Sequence, residues 1–362
     1  LVSDTGLAGF TVGVTADRRG EDQALLLSRL GVEVVRGPVL RTELGPADDE
    51  LRAETERIIA HPPDILVANT GFGMRAWWAR ATGWGLDAAL ADALGSTRLV
   101  ARGPKAAGAL RSLGLAVWWR SPTEQLATVA AHLVAVGVDG LDVALQLHGE
   151  DDTAVGERLR TAGATVRLLP VYRWAPPVDH AAAAALVRRC CEGTVEAVTF
   201  TAGPAVRGLF DVAEAEGVAD DLLAVLNART VVVCVGPVCA GVAHEVGIVA
   251  PVVPDHWRLG AMVTLVGAVL AARRWEAPGS CTIQGGLLVG PAATEVLAPP
   301  ARAALALLIG RGGGPVSPDE LGLGVDELRR SVPALAAALR ADADGIRLLG
   351  APASSTAASP RA

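Results

Sequence analysis

A chain of 362 residues that is 51% hydrophobic but only 4% aromatic builds its core from Ala, Val and Leu, and is long enough for more than one domain without disulfide staples. Its net charge of −7, with Lys105 the one lysine among 32 basic residues, argues against nucleic-acid binding by the chain as a whole; an anionic small molecule stays open, because local arginines and helix N-termini outweigh the sum. Cys190, Cys191, Cys234, Cys239 and Cys281 form no C-x-x-C pair and the six histidines no ligand spacing, so reduced thiols, no metal and no cofactor are expected.

In chain order, residues 10–15 form a short apolar run. A helical pattern over 21–30 follows, closing at Gly31, and then a second strand over 32–35. The unit recurs as 65–68 into a helix through the 70s, and as 99–101 into 105–112, ended by Gly114. It recurs again as 143–147 into 153–161, ended by Gly163, then at 197–201, and at 231–235 with a close at Gly247. The apolar runs are continuous rather than alternating, which predicts parallel sheets covered on both faces. Two proline-bearing segments, 37–40 (GPVL) and 169–177 (LPVYRWAPP), are expected as crossing strands between lobes, and 276–280 (EAPGS) as a linker. Beyond it the pattern predicts a strand pair within 281–288, a helix over 299–309 and a turn into 319–321. A second helix over 325–340, interrupted at Pro333, and a hairpin strand over 344–349 follow; from Ala351 the tail is expected to be disordered.

Residues 103–114 (GPKAAGALRSLG) and 236–247 (GPVCAGVAHEVG) read as copies about 132 residues apart, as do 64–79 and 196–211. Two copies make a duplicated α/β domain rather than a solenoid, and two lobes facing each other imply a small-molecule cleft. The expected fold class is α/β, with two similar flavodoxin-like parallel-sheet lobes joined by a two-stranded linker and a small C-terminal winged-helix-like domain. Residues 1–38 and 176–275 make lobe one, 39–175 lobe two, 281–350 the third domain and 351–362 the tail.

The ordered motifs resemble the uroporphyrinogen-III synthase family over residues 10–273. They are an opening strand ending at Thr15, the loop Asn69-Thr70-Gly71-Phe72-Gly73, and Gly103-Pro104-Lys105-Ala106-Ala107 for the family's Gly-x-x-Thr-Ala. Gly149, Val171-Tyr172, Phe200-Thr201-Ala202 and Gly236-Pro237-Val238-Cys239-Ala240 complete the series. More faintly, the C-terminal region resembles the winged-helix domain of response regulators, a combination similar to bifunctional synthase/regulator proteins of high-GC bacteria. The resemblance implies cyclisation of the linear tetrapyrrole hydroxymethylbilane to uroporphyrinogen III with inversion of ring D. The alternative is a ligand-sensing transcriptional regulator with a synthase-like sensor.

Tyr172, the single tyrosine, is implied to assist hydroxide departure, a phenol being able to donate to the leaving oxygen; packing between lobes is the other reading. The Gly-Pro helix starts at Gly103, Lys105, Ala106 and at Gly236, Val238, Cys239 offer backbone N–H groups to substrate carboxylates, or are ordinary tight turns. Thr15, Thr70 with Gly71, and Thr201 with Ala202 supply hydroxyl and loop contacts, or helix caps. Arg18 and Lys105 are ion-pair candidates or solvated charges. His148 and Gly149 close a strand facing the expected cleft. Arg329, Arg330 and Arg347 are the DNA-contact candidates, although basic and acidic residues balance in that region. A monomer is expected, with possible DNA contact through the C-terminal domain and no membrane partner. It is expected to be cytoplasmic, because no charge-free apolar run reaches spanning length and the opening residues lack a basic n-region.

Overall fold

The structure is a computed structural model and describes residues 6–44, 48–147, 149, 153–277, 281–289 and 294–352. The first repeat runs β1 (Thr11–Val14), α1 (Gly20–Ser28), β2 (Glu33–Arg36), β3 (Arg41–Glu43), α2 (Asp48–Ala60), β4 (Ile65–Ala68), α3 (Gly71–Gly83), α4 (Asp87–Gly95), β5 (Arg98–Ala101), α5 (Pro104–Ser112), β6 (Val117–Arg120) and α6 (Leu126–Val136). The second repeats this order about 132 residues on. It comprises β7 (Asp142–Gln146), α7 (Thr153–Thr161), β8 (Thr165–Leu169), β9 (Arg173–Ala175), α8 (His180–Cys191), β10 (Ala197–Phe200), α9 (Gly203–Ala215), α10 (Ala219–Ala228), β11 (Val231–Cys234), α11 (Pro237–Glu245) and α12 (Leu259–Ala271). The counterpart of β6 is reduced to a single parallel bridge, Val233 to Val252.

The parallel sheets do not follow the repeats. One sheet is ordered β11-β10-β1-β2 and the other β6-β5-β4-β7-β8. β1 lies between β10 and β2, with Val12 opposite Ala197 and Val34; β4 lies between β5 and β7, with Ile65 opposite Arg98 and Val143. Each sheet thus takes its first two strands from one repeat and its remaining strands from the other. Both have the doubly wound flavodoxin-like order once strands are numbered by their place in the repeat. Central strands β1, β4 and β10 are buried along their whole length, which is why their sequences are mainly apolar, with the buried Thr11 and Thr199 as the polar members.

The chain falls into two compact units, Leu1–Arg41 with Pro176–Ala362, and Thr42–Ala175. It crosses between them through the two-stranded sheet β3-β9. The first crossing strand is therefore Arg41–Glu43, and residues 37–40 carry no strand: Gly37 instead packs closely on Leu186 and Ala182, where a Cβ would meet the Ala182 carbonyl at 2.9 Å.

The C-terminal region begins earlier than the sequence suggests. Glu276 and Ala277, expected in a linker, belong to β12 (Trp275–Ala277), and Trp275 enters the apolar core of that region. With β13 (Cys281–Gln284), β14 (Leu287–Val289), β15 (Thr294–Val296) and β18 (Ala351–Pro352) it forms an antiparallel sheet ordered β15-β14-β13-β12-β18. Ala351 and Pro352 are thus paired rather than disordered; the rest of the expected tail lies outside the described residues. Helices α13 (Pro299–Gly310), α14 (Pro318–Leu321) and α15 (Val325–Ser331) and the hairpin β16 (Leu339–Asp342)–β17 (Gly345–Leu348) complete it. The helix expected over 325–340 stops at Ser331: Pro333 opens a short 3-10 turn, and Leu339 and Arg340 pair in the hairpin.

This region is anchored on the sheet of its own unit. Arg302 of α13 makes a bidentate pair with Glu196, Nε to Oε1 and Nη2 to Oε2 each 2.7 Å, at the start of β10, and also reaches Thr11 Oγ1 at 3.0 Å. Gly286 N donates to the Gly9 carbonyl at 2.6 Å, and Gln284 Nε2 to the Ala8 carbonyl at 3.0 Å.

Candidate functional site

In the unit Thr42–Ala175 the carboxyl ends of β4 and β7 bring three polar side chains together. Thr70 is the N-cap of α3, its Oγ1 accepting from Gly73 N at 3.0 Å. Gln146, the last residue of β7, accepts from Asn69 N at 2.9 Å and Thr70 N at 3.0 Å through Oε1. The Tyr172 hydroxyl lies 3.4 Å from Thr70 Oγ1, a long hydrogen bond in which either oxygen is a competent donor. Phe72 and Trp174 stand edge-on to the Tyr172 ring, with centroids at 5.2 and 5.8 Å. Tyr172 is 4% exposed and packs within the apolar core of its own unit, alongside the hydroxyl contact.

Two glycines are dictated by close approach. A Cβ on Gly71 would overlap the Lys105 carbonyl oxygen, which sets the starts of α3 and α5 side by side. Gly149, at φ +76°, faces the Trp174 indole, and a Cβ there would run into Nε1.

The duplication supplies an internal comparison. By the offset of about 132 residues and the strand registers, Thr70, Phe72, Gln146, Tyr172 and Trp174 correspond to Ala202, Pro204, Thr15, Leu40 and Thr42. The whole constellation is particular to one copy. The sequence motifs locate Thr70 and Tyr172 and contain Phe72 without giving it a role, but miss Gln146 and Trp174. The available signal for Gln146 is one polar residue in the otherwise apolar run 143–147.

The two Gly-Pro helix starts are real and equivalent. Gly103 and Gly236 are extended N-caps without side-chain capping, each followed by proline at the first helical position. The N–H groups of Lys105 and Ala106, and of Val238 and Cys239, therefore sit in positions that lack an intrahelical acceptor. Their surroundings differ. Glu124, at the unusual φ of 57°, lies over Gly103, where a Cβ would sit 3.3 Å from Glu124 Oε2; the matching neighbour of Gly236 is the Trp257 indole. Lys105 is exposed while Ala106 is buried, and Val238 is exposed.

Other candidates fall elsewhere. Thr15 is fully buried and donates to the Thr199 carbonyl at 2.8 Å, a tie between β1 and β10 rather than a ligand hydroxyl. Thr201 is not the equivalent of Thr70: α9 is capped at Ala202, whose methyl offers no hydrogen bond, so Thr201 matches Asn69. The Cys239 thiol is buried 3.7 Å from the Phe200 carbonyl, and its hydrogen bond with Cys234, together with burial, pushes it above the usual thiol range. Arg18 is exposed, and His148 lies outside the described residues. Arg329 is engaged by Asp326 and the Leu339 carbonyl, and Arg347 by Asp342 and Asp344; Arg330 is exposed. Among the described residues no helix is long and apolar enough to cross a membrane.

The sequence profile of the family described as "Uroporphyrinogen-III synthase HemD" matches residues 21–264. A selenomethionine mutant of the uroporphyrinogen III synthase from the extremely thermophilic bacterium Thermus thermophilus superposes with a TM-score of 0.61 at 30% identity, covering 72% of this chain and 98% of that one. The wild-type enzyme in another crystal form gives 0.50 at 28% identity over 72% and 98%. Bacillus subtilis (strain 168) YjjA, described as uncharacterized, is 27% identical over 259 residues, 71% of this chain and 95% of its own length.

Proposed function

Because the chain belongs to the uroporphyrinogen-III synthase family, we propose that it closes hydroxymethylbilane into uroporphyrinogen III, inverting the last ring. The observation that carries this is the Tyr172–Thr70 hydroxyl pair beside the α3 and α5 helix starts, present in one repeat and replaced by Leu40 and Ala202 in the other.

The reaction breaks the C–O bond at the hydroxymethyl end and joins that carbon to the substituted α-carbon of the last ring as a spiro intermediate. The bond from this α-carbon to its neighbouring methylene then breaks and re-forms at the ring's free α-carbon, which gives up its proton, so that water is lost overall and the ring is inverted. Tyr172 donates to the departing oxygen, and a phenol held by Thr70, Phe72 and Trp174 does so from a fixed point. The N–H groups of Lys105 and Ala106 at the α5 start hold a substrate carboxylate, and the Lys105 ammonium adds a mobile positive charge. The Val238 and Cys239 N–H groups offer an equivalent seat at the α11 start. Replacement of the family's threonine by Ala106 removes a hydroxyl donor but leaves the backbone donors. Carboxylates held near the reacting carbons stabilise the cationic spiro intermediate before it collapses.

The test is a coupled assay that separates the III isomer from the I isomer formed spontaneously. Accumulation of isomer III in proportion to protein supports the activity; isomer I alone, at the rate of the protein-free control, rejects it.

A further inference from the structure

We propose that Gln146 is a positioning residue that sets the Thr70–Tyr172 hydroxyl pair and thereby aims the phenol. The role presupposes the synthase activity proposed above and adds a residue that the family motifs do not mark.

The Gln146 side chain is fully buried at the end of β7. Its Oε1 receives the N–H groups of both Asn69 and Thr70, the two residues that turn β4 into α3. Only the oxygen accepts from two N–H donors, so the orientation of the amide is fixed by its partners. Thr70, held by its N–H, places Oγ1 under Gly73 N on one side and 3.4 Å from the Tyr172 hydroxyl on the other. Displacing the Gln146 amide therefore moves the Thr70 hydroxyl, and with it the contact that Thr70 makes to the phenol.

The arrangement carries a cost that an apolar residue in β7 would avoid. Gln146 Nε2 is buried with no hydrogen-bond partner among the described residues. Position 73 has also surrendered its side chain, since a Cβ there would overlap Nε2. The other repeat makes the same strand–helix turn without these concessions: by strand register Thr15, its hydroxyl satisfied by the Thr199 carbonyl, stands for Gln146, with Ala205 for Gly73, Ala202 for Thr70 and Leu40 for Tyr172. Amide, glycine, threonine and tyrosine are kept together in one copy and are absent together from the other. Turn formation alone does not require Gln146; orientation of the hydroxyl pair does.

The experiment combines a spectroscopic and a kinetic readout on the full chain. Tyr172 is the single tyrosine, so ring-labelled tyrosine gives one phenol C–O stretch in isotope-edited infrared spectra. Gln146→Met and Thr70→Val should displace that band in the same direction, whereas Gln146→Glu, which keeps an acceptor oxygen for the Asn69 and Thr70 N–H groups, should leave it in place. If Gln146→Met does not fold, Gln146→Ala carries the same comparison. In the isomer-III assay Gln146→Met should lower kcat about tenfold or more with KM held within about twofold. Added to Tyr172→Phe, it should cost less than about threefold further, because both changes disable one device. A band for Gln146→Met that superimposes on the unsubstituted protein overturns the positioning role, whether or not the protein turns over. A displaced band with no isomer III from any variant, the unsubstituted chain included, leaves the positioning intact and rejects the synthase activity. Multiplicative kinetic losses in the double variant also overturn it.

Discussion

At the scale of single residues, the proposed site would divide into a group that touches the reaction and groups that hold it. Tyr172→Phe should lower kcat for isomer-III formation about a hundredfold, with KM nearly unchanged, because one donor to a leaving oxygen is used only as the bond breaks. Steady-state kinetics with the isomer-resolved assay checks this, and unchanged turnover removes Tyr172 from the chemistry. Glu124 has the opposite effect on the proposed substrate. Its carboxylate lies over the α5 start, where the substrate is expected to place one of its own. Glu124→Gln should therefore lower KM about threefold at unchanged kcat, the size of one charge at a helix end. A KM that rises or stays constant rejects competition at that helix start. Tyr172 and Thr70 are legible in the sequence through motif position; Gln146 is not, since a single polar side chain at a strand end has no motif and its partners are backbone groups 76 and 77 residues away. Thr15 shows the limit of such reading: a threonine at the end of a buried strand spends its hydroxyl on a neighbouring strand as readily as on a ligand.

At the scale of elements, the tie between α13 and the β1–β10 sheet rests on a buried ion pair. Burial raises the Glu196 carboxyl above its ordinary value, and this outweighs the lowering by Arg302, despite two hydrogen bonds of 2.7 Å. A carboxyl raised on folding contributes stability that is fully present below the unfolded pKa and is lost as pH rises through the folded one. Removing the guanidinium widens that window upward. Arg302→Met should thus cost about 3 kcal/mol near neutral pH and distinctly less in mild acid, where Glu196 takes up a proton instead. Urea denaturation at the two pH values decides, and an equal loss at both would show that Arg302 acts through packing alone. The elements of this region are only partly legible. The strand pair and α13 stand out by apolar pattern, whereas Glu276 and Ala277 resemble linker because Pro, Gly and Ser follow them. Pro333 reads as an interruption within one helix and is instead the residue that ends it.

At the scale of the whole molecule, the duplication is visible in two matched stretches, and the alternation of strands and helices carries the fold class. The exchange of strands between repeats is not visible, because similarity between copies is silent about which copy a strand pairs with. A sheet built from β1, β2, β4, β5 and β6 would satisfy every local pattern equally well; the short crossing sheet β3-β9 commits the chain to the alternative. That exchange has a consequence for biosynthesis. The unit Thr42–Ala175 is one uninterrupted stretch, so it is complete once its own last strand leaves the ribosome. The first 41 residues are not: β1 and β2 must wait for β10 and β11, with a whole domain synthesised in between. During that interval the free edge of β1 faces the mirror of its proper partner in β4, about 132 residues too early. Residues 42–175 expressed alone should accordingly melt in one cooperative step with protected amides in β4 and β7, as hydrogen exchange can verify, whereas residues 1–136 should give no unique fold. If residues 1–136 instead form a stable sheet of their own, the unexchanged single-repeat domain is a kinetic competitor. Nascent chains would then partition between two topologies until the second copy emerges and draws the first strands away.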